Sequence, residues 1–268
     1  MNIRHSREFF RGGLPLVFAL AACLAPSTHA AQTRNSGTSR PGLSIPPGTI
    51  LPARLNQSFS SKNTKPGQLL TARIMQDVPL PNGQKIPAGS KLTGEITAVQ
   101  SSGKGTPPRI ELRFDTLLVR RQSIPITTSL RALAGFMEVQ AAQTPEFSPG
   151  FGTPSTWITT QQIGGDEVFG VAGPVTNQNM EHVGIGVYDG VLVHVRARPD
   201  SKCRGAWDEE DRLQALWVFS ADACGVYGLD DVEIAHAGTT DPAGAIVLTT
   251  QGKDLKLRAG DALLLRAR

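Results

Sequence analysis

The sequence predicts a mainly β fold: a small, bent antiparallel β-barrel closed by its N- and C-terminal segments, with a β-rich, disulfide-bearing insertion between them. Three observations carry this expectation. Leu92, Gly94, Ile96 and Ala98 alternate with Thr93, Glu95 and Thr97, and Ile110, Leu112 and Phe114 alternate with Glu111, Arg113 and Asp115. Period two with one polar face marks antiparallel strands lying over a core. A Pro-x-Gly-[Ser/Thr]-x-Leu pattern occurs at 46–51 and 87–92, and 258–263 repeats its glycine, small polar residue, spacer and leucine. Finally, 28 glycines and 19 prolines follow no fixed period, so they punctuate many short strands.

A chain of 268 residues with 40% apolar and 19% charged residues can bury a core and has an ordinary globular balance. Its net charge is +4, and removal of Arg4, Arg7, Arg11 and Glu8 with a leader takes this to +2. No run of Lys or Arg exceeds two residues, so the sequence carries no clustered basic footprint for nucleic acid.

Residues 1–30 read as a signal peptide. Arginines precede an apolar stretch at 14–24, Pro26 breaks it, and Thr28-His29-Ala30 offers small residues for cleavage. The apolar stretch is shorter than the roughly 20 residues a membrane-spanning helix needs. A competing reading rests on Leu20-Ala21-Ala22-Cys23, which matches a lipoprotein box and would leave Cys23 lipidated and the chain anchored. Export is expected in either case, to the periplasm or beyond, soluble or held at a membrane. Residues 31–45 are rich in Ser, Thr, Gly and Pro and form a flexible linker.

The barrel segment is expected over 46–135. Strands are placed at 50–55 and 69–75, a turn at Pro81-Asn82-Gly83, and further strands at 92–98 and 110–115, with a turn at Arg121-Gln122. Pro52, Pro79, Pro87 and Pro125 lack a backbone donor and should sit at edges, strand starts or bulges, which suits a bent barrel. Residues 130–142 place Leu130, Leu133, Met137 and Ala141 at helical spacing and predict one short amphipathic packing helix.

The stretches PPGTILPARL, Pro66-Gly67-Gln68 and IPAGSKLTGE resemble, in order and spacing, the β-barrel domain of the TrbI-like family of bacterial type IV secretion and conjugation channel proteins. The resemblance covers about residues 46–135. It implies a periplasmic or outer-membrane-associated β domain that assembles with other subunits. The family's channel members also carry an inner-membrane helix and a long proline-rich arm; this sequence shows neither, and only Gln76-Asp77-Val78 stands where the family often has an acidic-aromatic stretch.

Residues 136–236 are expected to form the insertion. Strand-like composition resumes at 157–171 around a Gly164-Gly165-Asp166 turn, and Tyr188-Asp189-Gly190 leads into a strand at 191–195. Cys203 and Cys224 are expected to pair in an oxidising compartment, closing a loop of about twenty residues. Residues 207–212 (WDEEDR) form the acidic tip of that loop, and 213–219 return as a buried strand. Residues 237–268 are the barrel-closing strands.

No catalytic or metal-binding constellation stands out, and no cofactor is implied. His182, His194 and His236 lack metal-ligand spacing, and there is no Gly-x-Ser-x-Gly elbow. Acidic residues 208–211 lack the spaced oxygen ligands of a calcium loop. The expected function is that of an exported, non-enzymatic β-protein of the cell envelope. It would act as a structural or assembly module, with envelope proteins or further copies of itself as partners. The alternative is a carbohydrate- or peptidoglycan-binding module contacting its ligand through Trp207, Asp208 and Glu209. An envelope hydrolase whose residues converge only in three dimensions ranks third.

Overall fold

The computed structural model describes residues 43–147, 158–195, 212–235 and 244–268. The leader, Cys23, almost all of the linker, Trp157, Cys203, Trp207, Asp208, Glu209 and His236 lie outside the described residues. In chain order the elements are β1 (Ile50–Leu55), β2 (Phe59–Ser60), β3 (Leu69–Ile74), β4 (Val78–Pro79), β5 (Lys85–Ile86), β6 (Lys91–Gln100) and β7 (Arg109–Val119). Next come β8 (Gln122–Pro125), β9 (Thr128–Ala134), helix α1 (Phe136–Ala141), β10 (Glu146–Phe147), β11 (Ile158–Gln161), β12 (Glu167–Phe169), β13 (Pro174–Thr176) and β14 (His182–Val187). The chain then continues through β15 (Gly190–His194), β16 (Leu213–Ala215), β17 (Gly225–Tyr227), β18 (Val232–Ala235), β19 (Ile246–Thr250), β20 (Lys256–Leu257) and β21 (Ala262–Ala267).

Turn chemistry lays out the first sheet. At Pro46, Lys65, Pro87 and Arg258 the carbonyl accepts the N–H three residues on, at 3.3, 3.2, 3.2 and 3.1 Å. The third residue of each turn is a glycine at positive φ: Gly48, Gly67, Gly89 and Gly260. That geometry is a type II turn, which a side chain at the third position would strain. The four turns feed β1, β3, β6 and β21. The Thr49 and Ser90 hydroxyls also donate to the first carbonyl of their turns at 2.7 Å, which explains the recurring Pro-x-Gly-[Ser/Thr] pattern.

The strands run in the order β17-β9-β21-β1-β3-β6-β7-β19-β18, with β8 added on β7, and the sheet curls into a nearly closed barrel. An early and a late segment of the chain meet in it. β1 lies antiparallel to β21 with Ala53 opposite Leu263 and Leu51 opposite Leu265. The one departure from antiparallel pairing in this sheet is β17, which runs parallel to β9. Together β17 and β18 bring the chain back to the barrel well before residue 237, inside the stretch assigned from the sequence to the insertion. A second sheet follows the simple order β10 to β16.

Two cores result, and β1, β9 and β21 stand between them. Leu51, Leu70, Ile96, Phe114, Leu133 and Leu263 fill the barrel. Ala132, Ala134, Ala262 and Leu264 point the other way, against Val191 and Val193 of the second sheet. Strands covered on both faces lose the polar half of the alternation, which is why 262–265 reads Ala-Leu-Leu-Leu. By contrast β3, β6 and β7 cover the core with one face only, and each fully buried Leu or Ile there contributes about 1.5–3 kcal/mol.

Proline placement follows the missing donor. Pro125 lies on β8, which pairs only with β7. Pro52 occupies an interior strand, but it lies one residue past the last β1–β3 partner pair, Ala53 with Ile74. Its carbonyl still accepts the Met75 N–H at 3.0 Å.

Bulges account for the main differences from the sequence reading. In β6 the register slips between Ile96 and Ala98, so Ala98 is exposed and Val99 packs toward the barrel core instead. In β9 the partner of Leu265 is Leu130 and that of Leu264 is Ala132, leaving Arg131 as the extra residue. An extra residue moves the next inward side chain to three positions on. Leu130 and Leu133 therefore both face the barrel from a strand, at a spacing that mimics a helix. The helix expected over 130–142 is in fact α1 alone, and Met137 is exposed. The buried strand expected over 213–219 is likewise only β16, followed by a turn in which the Phe219 N–H donates to the Leu216 carbonyl. No helix among the described residues is long and apolar enough to cross a membrane.

Candidate functional site

An open groove of about 360 Å³ lies where the second sheet meets the barrel. Ile158, Val168, Val191 and Met75 give it apolar walls, Trp217 and Val218 contribute the turn after β16, and the β14–β15 hairpin forms one lip. On the rim Tyr188 is 90% exposed and Val171 70%. A tyrosine in a two-residue hairpin turn has no sheet to cover it, and its ring presents an apolar face with a polar tip. Among the described residues, the ionisable side chains lining the groove are Tyr188 and Asp189.

The turn at 216–223 is held by four buried polar side chains from three separate stretches of the chain. Gln76 accepts the Trp217 N–H at 2.7 Å and donates to the Val191 carbonyl at 2.8 Å. Gln162, with its amide nitrogen turned toward the acceptors, donates to the carbonyls of Trp217 at 2.9 Å and Val218 at 3.3 Å. Asp166 accepts the Ala221 N–H at 2.6 Å. Arg131, fully buried, donates from Nε to the Ala223 carbonyl at 2.8 Å. Burial pushes the Arg131 guanidinium down to about 10, opposed by the charge of Asp222, so it stays cationic at neutral pH. Between these clamps Trp217 takes φ 55°, a left-handed conformation that costs a non-glycine residue about 1–3 kcal/mol. Its ring is buried, in keeping with a core aromatic.

Other charged groups serve the framework as well. The Asp77 carboxyl is held below its ordinary range by Lys85 and by the Ala88 N–H, tying β4 to the turn before β6. Asp261 accepts the N–H groups of Arg258 at 2.7 Å and Phe136 at 2.8 Å, joining the turn before β21 to α1.

The residues singled out from the sequence fare differently. Cys224 is half-buried just before β17 and its N–H donates to the Tyr227 hydroxyl at 3.0 Å, while Cys203 lies outside the described residues. The contact surface at Trp207, Asp208 and Glu209 and the lipidation site at Cys23 lie outside them too. His182 is exposed at the start of β14; His194 is half-buried on β15 opposite Leu213. Among the described residues no three His, Cys, Asp or Glu side chains converge as a metal site. Nothing local in the sequence marks Gln76, Gln162 or Tyr188 as site residues, whereas a polar residue inside an apolar run, as with Arg131 in SLRALA, is a visible cue to a buried polar contact.

No family model, curated protein or solved structure matches this chain.

Proposed function

We propose that this chain is an exported, non-enzymatic β-protein of the cell envelope that works as an assembly module, receiving an apolar segment of another envelope protein in the groove beside Tyr188. The groove itself carries this reading: apolar walls, a rim with Tyr188 and Val171 standing in solvent, and a backbone wall fixed by buried polar clamps. Exposed apolar side chains beside a preformed concavity are how a partner is received. The leader-like residues 1–30 support export, and the resemblance of residues 46–135 to TrbI-like barrels supports assembly with other subunits.

A photo-crosslinking residue at Tyr188 in the expressed chain tests it. Expected is a discrete adduct with one envelope protein, absent when the probe sits at Lys62 and lost when Val171 is changed to Asp. Equal labelling from both positions would sink the idea. Carbohydrate binding remains the second reading, favoured by the exposed ring of Tyr188, since such rings stack against sugars.

A further inference from the structure

The outer face of β1, β3 and β6 carries an arrangement that the fold does not need. Arg54 lies opposite Arg73, and Arg73 opposite Lys91, so three cations stand in direct register across three neighbouring strands. All three point away from the barrel: Ala53 and Leu55, Ala72 and Ile74, and Leu92 on either side of them are buried in its core. Arg73 and Lys91 are exposed, and Arg54, on the face of β1 that carries Ile50 toward the second core, is half-buried. Directly opposed like charges destabilise a sheet. Elsewhere on the same surface such charges are matched, as in Arg113 with Glu95 at 2.6 Å and Arg109 with Glu111 at 2.9 Å. Among the described residues no carboxylate forms an ion pair with Arg54, Arg73 or Lys91. Two positions further along the strands, on the same face, Thr71 lies opposite Thr93 and Thr93 opposite Thr116. A row of hydroxyls thus runs beside the row of cations, with Thr71 donating to Gln57 at 3.0 Å and Thr116 to Asp115 at 2.8 Å, so that each offers a remaining lone pair.

We propose that this face binds an acidic polysaccharide of the cell envelope, with carboxylate or phosphate groups along Arg54, Arg73 and Lys91 and sugar hydroxyls on Thr71, Thr93 and Thr116. The inference goes beyond the groove and relies on the proposed export only for the choice of polymer. Spacing selects the ligand class. Adjacent strands are about 4.8 Å apart, whereas an extended peptide repeats like-facing side chains only every 6.7 Å or so. An extended glycan repeats on the scale of one strand spacing and offers a hydroxyl or anion at each ring. The polymer lies across the three strands and exchanges counterions for the three cations. Binding therefore weakens as salt is raised.

The test measures binding of the full chain to polygalacturonate at low and high salt. A variant carrying Arg54→Gln, Arg73→Gln and Lys91→Gln is compared with a control carrying Lys62→Gln, Lys104→Gln and Lys253→Gln, which removes the same charge elsewhere on the exposed surface. The row variant is expected to lose about tenfold in affinity and most of the salt dependence. The control should stay within about twofold of the parent. Thermal unfolding of the row variant at or above the parent temperature shows that the fold is intact, because its substitutions remove repulsion. Equal losses in both variants would overturn the proposal. So would binding to a single-stranded oligonucleotide or to phosphatidylglycerol vesicles without binding to polygalacturonate. Failure here leaves the Tyr188 crosslink untouched, so the two readings fall separately.

Discussion

The side-chain oxygen of Gln76 accepts the backbone N–H of Trp217 at 2.7 Å, across 141 positions of sequence and between the two cores. Gly190 makes the approach feasible: a Cβ there would lie 2.6 Å from that same oxygen. The strained turn that walls the groove is thus fixed from the barrel side. Gln76→Ala would leave the Trp217 N–H buried and unpaired, at about 1–3 kcal/mol, while the Val191 carbonyl keeps the Leu216 N–H at 3.2 Å. Urea unfolding should show a loss of about 1–3 kcal/mol. A change within error of zero would mean that the clamp contributes nothing.

Burial pushes the Asp261 carboxyl above its ordinary range, against the lowering pull of the Arg258 and Phe136 N–H groups. A carboxyl whose folded pKa is raised binds its proton more tightly in the native state. Its contribution is therefore present below the unfolded value, about 3.9, and lost as pH rises through the folded value. The unfolding free energy of the parent minus that of Asp261→Asn is expected to decrease as pH rises above about 4. A difference that is flat or grows with pH would refute this sign.

Gly94 sits where the β6–β7 register slips, with Thr93 opposite Thr116 but Gly94 opposite Phe114. A Cβ at Gly94 would fall 1.8 Å from the Arg113 carbonyl oxygen. Gly94→Ala should therefore cost about 3 kcal/mol or prevent folding. Gly103→Ala, where the nearest atom to a new Cβ is 3.8 Å away, should change stability by less than about 0.5 kcal/mol. Chemical denaturation of both variants decides the matter, and equal effects would mean that the bulge yields.

Peptide mapping of the chain, expressed into an oxidising compartment and analysed without reductant, should recover a peptide joining Cys203 to Cys224. Their reduction should cost about 3 kcal/mol through the loop closed in the unfolded state. Free thiols at both positions would remove that bridge from the account.

Much of the barrel was legible because its signals are local. The glycines of the type II turns, the alternation in 92–96 and 110–114, and the prolines at ladder gaps each depend on a few residues and their own dihedrals. Even the pairing of β1 with β21 was signalled, since the turn that opens one strand recurs before the other. What misled the reading was equally specific. Leu130 and Leu133 suggested a helix because a bulge at Arg131 gives a strand the same three-residue spacing. The candidate site was hardly legible at all: Gln76 and Gln162 look like ordinary surface amides until Trp217 is placed between them, and Tyr188 gains significance only from the groove below it.

The sequence by itself determined a β chain, where it turns, and that an early and a late segment share one core. These follow from backbone conformations and burial periods that each short segment specifies alone. Only the tertiary structure decided that β1, β9 and β21 face two cores, that one strained turn is clamped by side chains from distant segments, and that Arg54, Arg73 and Lys91 form a row. Those facts depend on which strands lie side by side and in what register. A one-residue slip changes every neighbour across a sheet while leaving each strand's own sequence unaltered.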